Sequence, residues 1–293
     1  MTKTQILNFL KAPFGKSFIV AYLFTLPTLL IVPLISKLIS FIVDHHQEIS
    51  AVSEDEIPQF ILSHFAPYWD KGEGIMALVG LCTAVILLSV YLLGLTHKTV
   101  AEGAGIFDAS RLSLSVRFIG LSFLKYIGVL AAMSIVSALT FLPLVLFGFV
   151  GMFLNIQVLV AIIGFFALFF LGYKLICYLY TANILFMKEF KVKAYLNYAQ
   201  VKTYFITHKK NIFIGFLLSY VSGQMINLIF GSALAKIVEL TITFGAVMAA
   251  FHLSTYWVIG LGFLVLNFVW AYLMTLHGIV CGKIILWIER NQE

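Results

Sequence analysis

The chain has 293 residues, of which 61% are hydrophobic and only 11% are charged, and its formal net charge is +6. A soluble domain carries about 25% charged residues, so this composition excludes a protein that faces water on all sides. The mean hydropathy is +1.02, and several apolar stretches have the roughly 20 residues with which a helix crosses a bilayer core of about 30 Å. We therefore predict an all-α, polytopic transmembrane helix bundle that forms a single integral membrane domain over residues 1–293.

Six apolar segments have the length of a membrane-spanning helix. In chain order they are residues 17–43, 75–96, 124–149, 156–186, 211–231 and 256–286. The first is longer than the apolar core of a secretory signal, which has about 7–15 residues, so it is expected to remain in the protein. Proline interrupts helical hydrogen bonding, and Pro27 and Pro33 predict a kink in the first segment and Pro143 a kink in the third.

The polar segment after the first span, residues 44–74, carries seven acidic residues against the single base Lys71. It also contains His45, His46 and His64, but without the spacing that places two histidines on one helix face for a metal ion. We therefore predict a solvated acidic loop on the extracytoplasmic side and no metal site.

Two basic connectors, residues 97–123 and 188–210, have apolar residues at three- and four-residue spacing. This periodicity predicts two cytoplasmic amphipathic helices that lie at the membrane surface. Basic residues near a membrane attract anionic lipid headgroups by about 1 kcal/mol each. Such contacts are expected from Arg111, Arg117, Lys188, Lys191, Lys193, Lys202, Lys209 and Lys210. Because these bases are confined to membrane-proximal connectors, they indicate membrane lipids and not nucleic acid as the partner.

The distribution of charge also predicts the orientation. With six spans and both termini on one side, 15 of the 19 basic residues lie on that side, and the positive-inside rule makes it cytoplasmic. Residues 232–255 are mostly apolar but contain Lys236, Glu239 and His252. A seventh span would move the C-terminal bases to the outside, so we expect an outer-leaflet or re-entrant helix here.

The fifth span repeats a small or polar residue at every fourth position, which places these residues on one helix face. They are Gly215, Ser219, Gly223, Asn227 and Gly231. Lipid tails are as apolar as leucine, so helices in a membrane associate through close backbone approach and interhelical hydrogen bonds. We predict a helix-packing face, within the chain or between chains. The alternative is a polar strip along a solute path.

Few ionisable or amide side chains fall within the later spans, and these would line a path if the protein carried a solute. They are Lys174, Gln224, Asn227, Asn267 and His277. A lysine at the bilayer centre costs about 2.5–3.5 kcal/mol on insertion scales. If the fourth span ends near residue 175, Lys174 instead lies at its cytoplasmic end and extends its amino group to the surface.

No enzyme motif is found in the sequence. The glycine-rich stretch AEGAGIF (101–107) lacks the strand before it and the lysine after it that a phosphate-binding loop requires. Cys82, Cys177 and Cys281 lie in apolar segments without metal-ligand spacing. We expect no catalysis, cofactor or metal.

From about residue 80 onward, the order of features resembles a family of uncharacterised bacterial multi-pass membrane proteins that share a domain of unknown function. This family is similar to the membrane domain fused to some bacterial glycerophosphodiester phosphodiesterases. The resemblance is carried by FKVKAYLNYAQVKTYFITHKKNIFIGFLL (190–218) and AYLMTLHGIVCGKIILW (271–287), and residues 44–74 and 232–255 depart from it. It implies a helical protein of the inner membrane and supplies no catalytic residues.

These features predict a protein of the bacterial inner (cytoplasmic) membrane with both termini in the cytoplasm. Its role is expected to be that of a non-catalytic accessory or lipid-interacting module, with anionic lipids and a protein partner or a second copy of the chain as the molecules it contacts. A small-solute or anion transporter or channel is the alternative.

Overall fold

The computed structural model describes residues 14–53, 55–66, 71–103, 114–153, 157–250 and 255–291, together with Lys11. Every regular element within these ranges is helical. Six helical segments of the described residues are long and apolar enough to cross a membrane. The prediction of an all-α protein with six candidate spans is therefore confirmed.

The first span changes helix type along its length. It consists of α1 (Lys16–Thr25), a 3-10 helix (Leu26–Ile31) and α2 (Val32–Asp44). Pro27 lies in the first turn of the 3-10 helix and Pro33 in the first turn of α2. Proline is tolerated at these positions because its missing N–H would have had no partner within the helix. The two prolines thus coincide with a 3-10 segment inside the span.

The segment that follows the first span also contains helices. These are α3 (His46–Ala51) and α4 (Ile57–Phe65). Phe65 is 6% exposed and its ring lies 5.6 Å from that of Phe41 in α2. The acidic loop is therefore anchored to the first span by an aromatic contact. Five of its described charged residues are exposed, namely Asp44, Glu48, Asp55, Glu56 and Lys71.

Five long helices follow in the part of the chain that the structure describes. They are α5 (Lys71–Ala101), α6 (Val116–Phe153), α7 (Gln157–Glu189), α8 (Tyr198–Ala250) and α9 (Thr255–Arg290). Each exceeds the roughly 20 residues that cross the bilayer core, so each has turns to extend beyond it. Pro143 lies inside α6.

The two predicted connectors differ in structure. In 97–123, residues 97–101 are the end of α5 and 116–123 the beginning of α6, and Arg111 lies outside the described residues. In 188–210, a 3-10 helix (Val192–Tyr195) follows α7, and α8 then bends at His208, where φ is −118° and ψ is 20°. The ten residues of α8 before this bend form a helical segment of the connector itself.

Residues 232–250 do not form the separate outer-leaflet or re-entrant helix expected for 232–255, because they continue α8 without a turn. Residues 251–254 lie outside the described residues. The expectation relied on the charge of the C-terminal tail, which a seventh span would have moved to the outside. Lys236 and Glu239 form an ion pair of 2.5 Å at i,i+3 spacing within the helix, which supports helical structure.

The chain divides into two compact units. Unit 1 comprises Met1–Leu92 and Gly223–His277, and unit 2 comprises Leu93–Ser222 and Gly278–Glu293. In unit 1, Val32, Ile39 and Ile259 form one buried cluster. In unit 2, the core is built around the C-terminal half of α7, where Ala182, Ile184 and Phe186 are fully buried. The candidate functional residues are best described unit by unit.

Candidate functional site

The turn at the end of α7 is held by an aromatic stack. Phe190 has a φ of 53°, the left-handed conformation that is uncommon for a residue with a side chain. Its ring is 8% exposed and stacks on the imidazole of His97 with centroids 4.1 Å apart. The Nδ1 atom of His97 hydrogen-bonds the carbonyl oxygen of Met187 at 2.6 Å. These contacts compensate for the backbone strain and direct the chain away from α7.

Tyr195 anchors the 3-10 helix that follows. Its side chain is 2% exposed, its hydroxyl donates to Oδ1 of Asn183 at 3.1 Å, and its carbonyl accepts from the Tyr178 hydroxyl at 2.8 Å. Burial raises the pKa of Tyr195 well above its ordinary value, so the hydroxyl stays protonated as a hydrogen-bond donor. The connector is thereby attached to α7 at both a side chain and the backbone.

Glu289, near the end of α9, joins three helices of unit 2. Its Oε2 atom forms an ion pair with Nζ of Lys188 at 2.8 Å, and its Oε1 atom accepts a short hydrogen bond from the Tyr204 hydroxyl. The ammonium group of Lys188 also lies 5.3 Å from the centroid of the Tyr204 ring. The charge of Lys188, which was predicted to meet lipid, is therefore engaged by a carboxylate of the protein.

The remaining lysines of this region differ from Lys188. Within the described part of the chain they are exposed and form none of the ion pairs found. They are Lys191, Lys193, Lys202, Lys209 and Lys210. Arg117, at the start of α6, is exposed as well. These side chains form a basic surface that no carboxylate of the described residues neutralises through an ion pair.

Charge is divided unequally between the two units. Unit 2 contains 13 basic and 5 acidic residues, and unit 1 contains 6 basic and 8 acidic residues. The excess of +8 in unit 2 is larger than the net charge of the whole chain, +6. The connector lysines thus belong to the more basic of the two units.

A groove of about 610 Å³ lies in unit 2 between α7 and α8. Its lining residues are Tyr173, Ile176, Cys177, Tyr180, Phe205, Lys209, Lys210, Ile212, Phe213 and Phe216. No feature of the sequence was used to predict a groove between these two helices. The signal that could have found it is helical periodicity, because residues 173, 176, 177 and 180 share one face of α7, and 205, 209, 212, 213 and 216 share one face of α8.

The predicted helix-packing face makes its tightest contact at its N-terminal end. A Cβ atom added at Gly215 would lie 2.6 Å from Cδ1 of Ile288. Ser219 lies 3.2 Å from the Tyr180 hydroxyl. Gly223 is 4.0 Å from Cε1 of His277 by the same measure, which is ordinary contact distance.

The other end of this face is open. Asn227 and Gly231 are exposed, and a Cβ atom added at Gly231 would have no atom of the described residues within 4 Å. The small or polar residues at every fourth position therefore lie in two environments. Gly215 is in close contact with another helix, and Gly231 is exposed.

The residues proposed for a solute path are also separated by environment. Lys174 is exposed on α7, with Nζ 4.2 Å from the centroid of the Phe170 ring. Gln224 and Asn227 are exposed on α8. His277 is half-buried, and Asn267 is 1% exposed. Lys174 belongs to unit 2 and the other four to unit 1.

Asn267 takes part in a buried polar contact. Its Oδ1 atom lies 2.9 Å from Oγ1 of Thr28, whose hydroxyl is also 2.7 Å from the carbonyl oxygen of Thr25. The Nδ2 group of Asn267 has no hydrogen-bond partner among the described residues. This arrangement joins α9 to the 3-10 helix of the first span within unit 1, so Asn267 has a structural role.

An ion pair between Lys37 and Glu73, with N and O atoms 2.7 Å apart, was not anticipated from the sequence. The two residues are far apart in the chain, and no local pattern relates them.

Within the described residues, no group of three or more histidine, cysteine, aspartate or glutamate side chains is placed to hold a metal ion.

With six apolar helices that can cross a bilayer, the chain is a multi-pass membrane protein. No protein-family model matches it, and neither a curated protein nor a solved structure is found to match it. The resemblance to the bacterial family with a domain of unknown function stays a prediction.

Proposed function

We propose that the protein is a non-catalytic, lipid-interacting module of the bacterial inner membrane, with both termini in the cytoplasm. It engages anionic lipid headgroups through the connector lysines of unit 2, namely Lys191, Lys193, Lys202, Lys209 and Lys210. The observation that supports this proposal is that these lysines are exposed and form none of the ion pairs found in the described part of the chain.

The electrostatics of the membrane surface support this role. An anionic leaflet attracts each basic residue near it by about 1 kcal/mol, and the attraction decays within a Debye length. Three of the lysines lie on the short, anchored segment between α7 and the bend at His208, and Lys209 and Lys210 follow directly after the bend, so the five act together on the same headgroup layer. Lys188 does not contribute fully, because Glu289 already compensates its charge.

The proposed orientation has the same physical basis. Acidic residues are concentrated in 44–74 and basic residues in 188–210. Three of the six candidate spans separate these two segments, which places them on opposite sides of the membrane. The positive-inside rule places the basic side in the cytoplasm. A transporter is the weaker alternative, since Lys174, Gln224 and Asn227 lie on exposed helix faces.

The proposal is tested by the lipids that the protein retains on mild extraction. We expect anionic phospholipid to be enriched over its share of the bulk membrane. Replacing the five lysines by glutamine should return the ratio to that of the bulk, with the amount of zwitterionic lipid unchanged. Lys236→Gln, an exposed lysine paired with Glu239 in unit 1, is the control and should leave the ratio as it was.

Two results would contradict the proposal. One is equal retention of anionic and zwitterionic lipid by the wild-type protein. The other is substantial flux of a small anion or solute through liposomes that contain the purified protein alone, which would favour the transporter.

A further inference from the structure

We propose that the groove between α7 and α8 is a binding site for one anionic glycerophospholipid, with its phosphate at Lys209 and Lys210 and one acyl chain along the apolar walls. This inference rests on the proposed function, since it assigns a defined site to one of the lipids that the basic surface attracts. It differs from that function in predicting a saturable stoichiometry.

The walls of the groove suit an acyl chain. Tyr173 and Ile176 on α7 and Phe213 on α8 are 56%, 51% and 59% exposed. Between two helices in a bilayer, such an open gap must be filled, because side chains that face a void lose their dispersion contacts. The volume of about 610 Å³ lies within the range of about 300–1,000 Å³ that is typical of small-molecule sites.

Side-chain contacts join the two walls of the groove. Tyr180 and Phe216, one from each wall, meet edge-on with centroids 5.3 Å apart and planes at 83°. The Tyr180 hydroxyl of α7 also lies 3.2 Å from Oγ of Ser219 on α8. The two helices that form the groove are therefore in direct contact beside it.

The polar end of the groove carries positive charge alone. Its described lining includes Lys209 and Lys210 and no carboxylate. Both lysines are exposed and follow directly after the bend at His208. The two lysines thus belong to the same helical stretch as Ile212, Phe213 and Phe216 of the apolar lining. A phosphodiester joined to an acyl chain complements this combination of charge and apolar surface.

A second copy of the chain would fit the groove less well. A helix from another copy would need an acidic residue to meet the charge of Lys209 and Lys210. Seven of the 13 acidic residues lie in 44–74, on the side that the charge pattern assigns to the opposite face. The described acidic residues of unit 2, which are Glu102, Glu189 and Glu289, already contact other side chains of the protein. The lipid supplies the missing charge.

The test is binding of phosphatidylglycerol to delipidated protein in a zwitterionic detergent, measured by native mass spectrometry with phosphatidylcholine as the neutral probe. We expect one tightly bound phosphatidylglycerol. The Lys209→Gln/Lys210→Gln variant should bind it roughly 30-fold more weakly, because two lysines at about 1 kcal/mol each correspond to that factor. The Lys191→Gln/Lys193→Gln variant removes the same charge outside the groove and should bind the first lipid as the wild type does.

A second pair of variants tests the apolar walls without a change of charge. Ile176→Trp fills the groove and should abolish the tightly bound lipid. Ile162→Trp is the matched control, because Ile162 has a similar exposure on α7, 54%, but does not line the groove. Circular dichroism of each variant verifies that the helices are intact.

The outcomes separate this site from the proposed function. Equal weakening by both double-lysine variants, or full binding by Ile176→Trp, would overturn the site and leave diffuse attraction of anionic lipid in place. No preference of the wild type for phosphatidylglycerol would overturn both. Competition by inorganic phosphate at constant ionic strength would show that the acyl chain is not recognised, which also overturns the site.

Discussion

At the scale of single residues, the described polar side chains of the spans are mostly engaged with one another or with the backbone. Glu289 binds Lys188 and Tyr204, Lys37 pairs with Glu73, and His97 hydrogen-bonds a carbonyl. In an apolar surrounding such pairs are needed because an unpaired charge is strongly destabilising. Their role is therefore to hold helices together, and each can be tested by removing one partner.

Glu289→Gln is expected to destabilise the protein. The change removes the charge that holds Lys188 while keeping the shape of the side chain, and the loss should be about 1 kcal/mol because the pair is partly exposed. The free energy of unfolding in mixed micelles, followed by circular dichroism, measures it. Glu239→Gln is the matched control, since its partner Lys236 is 72% exposed, and it should have little effect. Equal stability of the wild type and both variants would show that the charge of Glu289 contributes nothing to the free energy of unfolding.

The contact between Thr28 and Asn267 should respond differently to its two partners. Thr28→Val leaves the buried amide of Asn267 unpaired and is expected to cost about 1–3 kcal/mol. Asn267→Leu removes the amide together with its unsatisfied Nδ2 group, so it should cost clearly less. Both values come from the same unfolding measurement, and a larger loss for Asn267→Leu would contradict the assigned structural role.

At the scale of helices, α8 shows that one sequence repeat can have several structural consequences. Its first ten residues form a helical segment of the connector, which ends at the bend at His208. Gly215 then allows α9 to approach closely, and residues 232–250 extend the same helix beyond the repeat. Small residues permit close contact in a membrane but do not by themselves specify a partner. The neighbouring helix decides which glycine is needed.

This difference predicts unequal effects of valine at the two ends of the repeat. Gly215→Val would overlap with Ile284 and Ile288 and should destabilise the protein by about 1–3 kcal/mol, the usual cost of overpacking. Gly231→Val has open space around it and should cause no loss, since valine has the higher helix propensity. Thermal unfolding of the two variants in the same detergent makes the comparison. A greater loss at Gly231 would indicate that another chain covers that end.

At the scale of the whole molecule, the separation of charge is the main feature. Unit 2 has an excess of 8 positive charges, and the acidic segment 44–74 belongs to unit 1. Combined with six candidate spans, this pattern motivates the proposed orientation and the contact with anionic lipid. It also accounts for the strong basicity of a chain that has no sign of nucleic-acid binding in its sequence.

The orientation can be tested by cysteine labelling in intact cells. In a protein whose three cysteines are replaced by alanine, Ser50→Cys in the exposed helix α3 should react with a membrane-impermeant maleimide added outside. Lys193→Cys, exposed in the connector, should react only after permeabilisation. Labelling of Lys193→Cys in intact cells would reverse the proposed orientation.

The sequence by itself determined the helical class and all six candidate spans. The hydropathy of a span is a sum over about 20 consecutive residues. Backbone groups inside a bilayer must be paired within their own helix. Neither the presence of a span nor its helical structure therefore depends on distant residues. The same local information identified the basic connectors. It did not predict that residues 232–250 would continue α8, because the expectation for this segment came from the charge of the C-terminal tail, and that charge does not specify where a helix ends.

Only the tertiary structure decided which side chains meet. Lys188 and Lys191 are similar in the sequence, yet the first is paired with Glu289, 101 residues away, and the second is exposed. Gly215 and Gly231 occupy equivalent places in one repeat, but only Gly215 has Ile288 against it. The groove likewise needs faces from two helices at once. Such contacts depend on how whole helices pack against each other, a property that no short window of the chain contains.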